Sequence, residues 1–189
     1  MIEITVTVSQ SDATHGRFEA RLAAGPISVP CSIGRGGVLP AADKREGDGA
    51  TPLGRWPLRH VFYRADRIVK PKTHVPLSAI EADMGWCDEA DHPDYNRLVR
   101  LPFAARHEEM ARQDHVYDLV VVLGHNDDPP VAGMGSAIFW HLKRGEGAPE
   151  SWSPTAGCIG TTLEVLYQVL AECDETTAIT VKLAEQPQT

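Results

Sequence analysis

Hydrophobic and polar residues alternate over the first part of the chain, and this alternation predicts half-buried β-strands. Residues 2–8 place isoleucine and valine at the even positions and polar residues at the odd positions. After turn-forming residues, the alternation resumes over residues 17–22, which predicts a hairpin. Further strands are predicted over residues 27–33, 54–63, 116–123, 136–142 and 177–183.

A change of period near the end of the chain predicts one helix. Leu163, Leu166, Tyr167 and Leu170 recur at the i, i+3, i+4, i+7 spacing of one apolar helix face. Thr161 and Glu164, as N-cap and third helical residue, have the spacing of a capping box, which predicts a helix over 162–172. A shorter helix is predicted over 104–113.

Two long stretches show neither the alternation of a strand nor the spacing of a helix. Residues 34–54 are rich in glycine, proline and charge, and residues 64 to about 102 show little regular pattern and several prolines. Loops of this length are uncommon inside compact domains and are often functional, so residues of about 64–113 are predicted to form a lid-like insertion. The fold class predicted for residues 1–189 is a single, mainly β domain with few helices.

Composition narrows the classes of partner. The 189 residues carry a net charge of −8 and no basic stripe, which argues against nucleic acid. No apolar run is long enough to span a bilayer, so no membrane span is expected. The sequence MIEITVTVSQ has neither a basic n-region nor an apolar h-region, so we expect a cytoplasmic chain, or a periplasmic one if a leader was removed.

Four cysteines, Cys31, Cys87, Cys158 and Cys173, form no C-x-x-C or zinc pattern, and small buried side chains are the default expectation. Cys158 differs, because it lies between glycines in SPTAGCIG, just before the predicted helix. A helix N-terminus, a base and access favour a reactive thiolate. Flanking glycines also let backbone N–H groups converge on an oxyanion, and Gly157 and Cys158 are the candidate donors.

His141 is the candidate base. Of the eight histidines, most fall in turns, in the insertion or in the short predicted helix, where solvent exposure is the default. His141 instead ends the predicted strand 136–142 and precedes Cys158 by a Gly/Pro-rich connection. A strand end and a helix start joined in this way can meet in space, although a hydrogen-bonded histidine at a strand end is the alternative.

Three segments together resemble the L,D-transpeptidase catalytic domain, the YkuD (or ErfK) family. FWHLKRGEGAPESWSPTAGCIG is similar to the signature of a histidine followed, about fifteen residues later, by Ser/Thr-x-Gly-Cys, with His141, Thr155, Gly157 and Cys158 at those positions. KREGDGATPLGRWPL resembles the T-P-x-G segment of the family, and LVVVLGHNDDPPVAGMGSAIFWH resembles the strands before its histidine. The chain departs from the pattern at Ala156, usually histidine, at Leu142, often glycine, and at Gly160 and Thr161, where the family often has Arg or Asn.

The resemblance implies a β-sandwich of mixed sheets with one helix after the cysteine. It implies acyl transfer on peptidoglycan tetrapeptide stems or muropeptides: Cys158 forms a thioester and releases D-alanine, and His141 moves the proton. It further implies that carbapenems acylate the cysteine, that a backbone carbonyl orients the histidine, and that no cofactor is needed. Candidate residues of the substrate pocket are Thr155, Ala156, Gly160, His125, Trp152 and Arg35. The sequence assigns no oligomeric state.

Three other functions remain open. The thioester can be hydrolysed, giving an L,D-carboxypeptidase that trims tetrapeptides to tripeptides in recycling. The domain can bind wall peptide without turnover, which the departures at Ala156 and Gly160 favour. A metal hydrolase built on His125, Asp127, Asp128 and His141 is the remaining alternative, although such Asn/Asp/Pro-rich segments are more typical of turns and show no metal-site spacing.

Overall fold

The computed structural model describes residues 2–12 and 17–185 and consists mainly of β-strands. In chain order the strands are β1 (Ile4–Asp12), β2 (Arg17–Ala24), β3 (Ile27–Cys31), β4 (Val38–Pro40), β5 (Thr51–Tyr63), β6 (Leu77–Ala79), β7 (Met84–Cys87), β8 (Leu98–Arg100), β9 (His107–Glu109), β10 (Leu119–Leu123), β11 (Phe139–Leu142), β12 (Ile159–Thr161) and β13 (Ala178–Leu183). One helix, α1 (Leu163–Leu170), lies between β12 and β13, and short 3-10 turns cover Ala41–Asp43 and Pro149–Ser151.

Ten of the strands form one mixed sheet that nearly closes on itself. Its order is β12-β11-β10-β5-β13-β1-β2-β3, with β4 and β6 added alongside β5. Ser32, just after β3, forms an antiparallel bridge with Gly160 of β12, which brings the two ends of the sheet together. The predicted mainly β fold class is therefore confirmed, and so is the hairpin of β1 and β2, whose turn at 13–16 lies outside the described residues.

The two faces of the sheet are buried in different cores. In β10, Leu119, Val121 and Leu123 join the core that contains α1, whereas Val120 and Val122 join a second core under the segment from β7 to β9. Both faces of β10 are thus covered, which explains its uninterrupted apolar sequence LVVVL. Cys158 belongs to the second core.

The predicted insertion is more regular than its sequence suggests. Residues 64–102 contain β6, β7 and β8, and the helix predicted over 104–113 is wrong, because that segment contributes β9. Strands β8, β7 and β9 form a separate antiparallel sheet, in which Trp86 pairs with Glu108. A helix of this length is marginal alone, and pairing with β7 satisfies the same backbone groups.

The start of α1 differs from the prediction by one residue. Thr162, not Thr161, is the N-cap, and its Oγ1 accepts a hydrogen bond from Val165 N. Thr161 is instead fully buried in β12, where its Oγ1 accepts a hydrogen bond from Trp140 Nε1 at 2.8 Å. Glu164 therefore does not complete a capping box, because it is the second helical residue rather than the third.

Candidate active site

Strand pairing places Cys158 and His141 on the same face of the large sheet. Strands β11 and β12 are parallel, with His141 opposite Gly160, and Cys158 precedes Gly160 by two residues. Since side chains two residues apart on a strand share a face, Cys158 projects toward the side of His141. Strand spacing and rise give a Cα separation of about 8 Å, and no hydrogen bond joins the thiol and the imidazole within the described residues.

The thiol of Cys158 is held by the backbone of the neighbouring strand. Its Sγ donates a hydrogen bond to Ala137 O at 3.2 Å and accepts one from Phe139 N at 3.4 Å. The residue is only 7% exposed, and burial, together with the nearby charge of Glu108, raises the pKa of the thiol to about 12. The resting cysteine is therefore a protonated thiol, so a base must assist its ionisation.

The helix dipole does not supply that assistance. The sequence predicts that Cys158 lies at the N-terminus of the helix, but the strand β12 separates the cysteine from the N-cap Thr162. Three strand residues span about 10 Å, whereas the influence of a helix terminus is confined to its first turn. This part of the prediction is wrong, and proton transfer to a side chain must take its place.

The imidazole of His141 has the orientation that a base needs. Its Nδ1 lies 2.8 Å from Leu142 O, and because a carbonyl can only accept, Nδ1 carries the proton in this contact. Nε2 of the neutral ring therefore has a free lone pair. His141 is 6% exposed, and burial lowers its pKa to about 4, so the ring is neutral at neutral pH.

The lowered pKa of His141 also makes stability depend on pH. The unfolded histidine titrates near 6.5 and the folded one near 4, so unfolding gains protonation free energy as the pH falls through this window. We expect the free energy of unfolding to lose about 3 kcal/mol between pH 6.5 and 4 from this residue. Denaturant unfolding at both pH values should give a smaller loss in His141→Gln than in the unchanged protein. An equal loss in both would contradict this, and His74→Gln, at an exposed site, is the control.

The threonine of the signature organises the loop before the cysteine. Thr155 Oγ1 accepts a hydrogen bond from Gly157 N at 3.1 Å and donates one to Cys158 O at 2.7 Å. Gly157 has a φ of +145°, and a Cβ there would lie 3.0 Å from Ala50 O, so only glycine fits.

This arrangement corrects the predicted oxyanion donors. The N–H of Gly157 is engaged by Thr155 and is not free to bind an oxyanion. The N–H of Cys158 makes no hydrogen bond to any residue in the described ranges, so it is the donor that remains available.

Two predicted pocket residues line a common cavity beside this loop. Arg35 and Trp152 border a space of about 630 Å³ that also reaches Ser32. A side chain at Gly160 would place its Cβ 2.6 Å from Ser32 Oγ, so glycine is required at this position of β12. Ala156 is exposed on the loop surface, and its small side chain leaves the approach open.

His125 does not open onto this cavity. It is 4% exposed and packs edge-on against Trp56, with ring centroids 4.8 Å apart, while its Nε2 contacts Met134 O. Lys44 is likewise buried, at 2% exposure, and is paired with Asp48 at 2.6 Å. Both residues thus lie in the interior rather than in the predicted pocket.

Sequence reasoning missed Tyr117, which packs beside the histidine, and Glu108, which is bonded to Tyr117. The ring of Tyr117 lies 5.3 Å from the ring of His141, centroid to centroid, and its hydroxyl donates to Glu108 Oε2. Tyr117 lies two residues before β10, and a polar hydroxyl close to such a buried apolar run was the available signal. Glu108 was missed because it falls in the helix predicted over 104–113, where it would be one of several charged residues exposed to solvent.

Across residues 2–12 and 17–185, no group of three or more His, Cys, Asp or Glu side chains is arranged to hold a metal ion. Within the same ranges, no helix has the length and apolar character needed to cross a membrane. The four cysteines are all buried and unpaired.

Comparison with known proteins gives one match. The family model described as the L,D-transpeptidase catalytic domain, YkuD, matches residues 10–181, which is most of the chain. Neither the search of curated proteins nor the search of solved structures gives a match.

Proposed function

Because the chain belongs to the L,D-transpeptidase catalytic domain family, we propose that it is a cysteine acyltransferase acting on peptidoglycan tetrapeptide stems. The observation that carries this proposal is the contact of His141 Nδ1 with Leu142 O. That contact leaves Nε2 unprotonated on the sheet face to which Cys158 also belongs. A thiol and a neutral imidazole in this relation form a nucleophile and its base.

In the first half-reaction, Cys158 Sγ attacks the carbonyl carbon of the third stem residue while His141 Nε2 takes the thiol proton. Since the resting thiol has a pKa of about 12 and the imidazole one of about 4, this transfer accompanies attack rather than preceding it. The N–H of Cys158 stabilises the oxyanion. His141 then protonates the departing amine of D-alanine, the C–N bond breaks and a thioester remains.

In the second half-reaction, an amine attacks the thioester carbonyl, an amide forms and the C–S bond breaks. His141 carries the proton from the attacking nitrogen to Sγ, which restores the thiol. The cavity bordered by Arg35 and Trp152 is our candidate path for the stem peptide. Arg35 is exposed and forms no ion pair within the described part of the chain, so it is available for a substrate carboxylate.

The proposal predicts products that one incubation identifies. The purified protein is mixed with a defined tetrapeptide muropeptide, with and without a second amine, and the products are resolved by mass spectrometry. We expect D-alanine in both reactions and an amide-linked product only when the amine is present. Tripeptide as the sole product in both reactions would indicate a carboxypeptidase, and unchanged tetrapeptide would favour a binding module without turnover.

A further inference from the structure

A carboxylate from the small sheet reaches the neighbourhood of the proposed base. Glu108, on β9, accepts a hydrogen bond from the hydroxyl of Tyr117, and the ring of Tyr117 packs beside His141 with a centroid separation of 5.3 Å. Glu108 is also paired in register with Trp86, which belongs to the same core as Tyr117 and Cys158, and its charge contributes to the raised pKa of the Cys158 thiol. Glu108 thus belongs to the surroundings of the reacting thiol.

This carboxylate lacks a cationic partner. Within residues 2–12 and 17–185 Glu108 forms no salt bridge, and the guanidinium of Arg112, stacked over Tyr117, is bonded to Asp114 at 2.6 Å. Burial raises the pKa of Glu108, against the effect of the Tyr117 hydroxyl. The titratable and charged groups that act on it are Tyr117, Arg112, Asp88, Glu46 and Cys158. Two of them are further carboxylates, and one of these, Asp88, is already paired with Arg106 at 3.1 Å.

One oxygen of Glu108 remains free for a ligand. Oε2 holds the hydroxyl of Tyr117, whereas Oε1 has no hydrogen-bond partner among the described residues. Oε1 is not sealed in the interior either, because His125 Nδ1 is the only buried, unpartnered side-chain nitrogen or oxygen in those ranges. Glu108 as a whole is half-buried. Oε1 is therefore the oxygen of Glu108 that keeps some contact with solvent, while Oε2 is held by Tyr117.

The proposed transfer reaction has a proton that His141 cannot take. An alkylamine has a pKa of about 10, so it reaches the enzyme as R–NH₃⁺ at neutral pH. It must lose one proton to become a nucleophile and a second when the amide forms. His141 carries the second proton to Sγ, and the first needs another acceptor. Water attacking the same thioester carries no such extra proton.

We propose that Glu108 binds the alkylammonium group of the acyl acceptor beside the thioester and takes its extra proton. The step is R–NH₃⁺ plus Glu108 carboxylate giving R–NH₂ plus Glu108 carboxylic acid. The free amine then attacks the thioester carbonyl, and Glu108 later loses the proton to solvent. This inference rests on the proposed function and deepens it, because it makes Glu108 the residue that favours transfer over hydrolysis.

Glu108→Gln tests the assignment through the ratio of transfer to hydrolysis. Acceptors are methylamine, protonated at pH 7, and hydroxylamine, neutral at pH 7. We expect the ratio with methylamine to fall on the order of 10²-fold, and the ratio with hydroxylamine to stay unchanged. The deficit with methylamine should shrink as pH rises toward the pKa of the amine. Glu109→Gln, which removes the same charge from the neighbouring exposed residue on β9, is the matched control and should leave both ratios unchanged.

Each contrary result has a distinct meaning. An unchanged ratio with methylamine, or an equal fall with both acceptors, overturns the role of Glu108 in deprotonating the acceptor. Slower acylation by the donor with unchanged ratios assigns Glu108 to an ammonium group of the donor peptide and overturns the acceptor role. If the unchanged protein forms no acyl-enzyme at all, both the proposed function and this inference fail. Acylation of Glu108→Gln at the normal rate shows that the variant is folded.

Discussion

Cys158→Ala is expected to abolish the release of D-alanine from a tetrapeptide stem, lowering the rate by about 10⁴-fold or more. The proposed mechanism has no second nucleophile, because the thioester forms on Sγ and each later step acts on that bond. The fold should persist, since the substitution removes one sulfur and keeps the small side chain in the second core. We expect a loss of stability of about 1 kcal/mol, measured by denaturant unfolding.

Cys173→Ala is the matched control for this result. Cys173 is also buried, at 0% exposure, and its Sγ also donates to a backbone carbonyl, that of Val169 at 3.1 Å. It lies just after α1 in the other core, so its loss should cost similar stability and no activity. D-alanine release by a folded Cys158→Ala protein at the unchanged rate would refute the nucleophile assignment.

His141→Gln should lower the rate of acylation about 10²- to 10⁴-fold. Glutamine keeps a polar side chain near Leu142 O but has no lone pair basic enough to take the thiol proton. The variant must instead use the fraction of Cys158 that is already thiolate. Because the pKa of that thiol is about 12, this fraction rises about tenfold per pH unit through the neutral range.

The dependence of the acylation rate on pH therefore distinguishes the unchanged protein from His141→Gln. The unchanged protein should hold a level acylation rate from just above pH 5 upward, since its base titrates near pH 4. His141→Gln should show a rate that climbs with pH and approaches the unchanged protein only in alkaline solution. A carbapenem serves as the acylating agent, and the adduct on Cys158 is counted by mass spectrometry. A parallel, pH-independent loss would show that His141 acts only as a structural residue.

The hydrophobic pattern predicted most of the strands of the large sheet, because the order of apolar and polar residues in a strand reflects which of its faces are buried. Alternation in β1 and the apolar run of β10 reflect one covered face and two covered faces, and both are local properties of the sequence. The hydrogen bond that His141 Nδ1 donates to Leu142 O agrees with the orientation by a backbone carbonyl that the family resemblance implies.

The features that the sequence did not predict depend on contacts between segments that are distant along the chain. The sequence of β9 taken alone predicts a helix, and the segment becomes a strand through its pairing with β7, whose residues lie 20 to 24 positions earlier. Glu108 could not be linked to Tyr117 without that pairing. The N–H of Gly157 was expected to be free, and only the three-dimensional position of Thr155 Oγ1 shows that it is engaged.

The engagement of Gly157 changes the expected source of oxyanion stabilisation. With one backbone donor occupied, the N–H of Cys158 is left as the available backbone group. Removing a single such donor raises the barrier of acyl-transfer enzymes by roughly 2.7–4 kcal/mol, so one well-placed N–H is a substantial contribution. Thr155 Oγ1 accepts a hydrogen bond from Gly157 N and donates one to Cys158 O, so it holds the backbone on both sides of this N–H.

The central claim is that Cys158 forms a thioester with the stem peptide, and intact-protein mass spectrometry after mixing with a tetrapeptide muropeptide tests it most directly. The account predicts a mass increase equal to the muropeptide minus D-alanine, mapped by digestion to the peptide that contains Cys158 and absent from Cys158→Ala. Release of D-alanine without that adduct, or an adduct mapped to another residue, would contradict it.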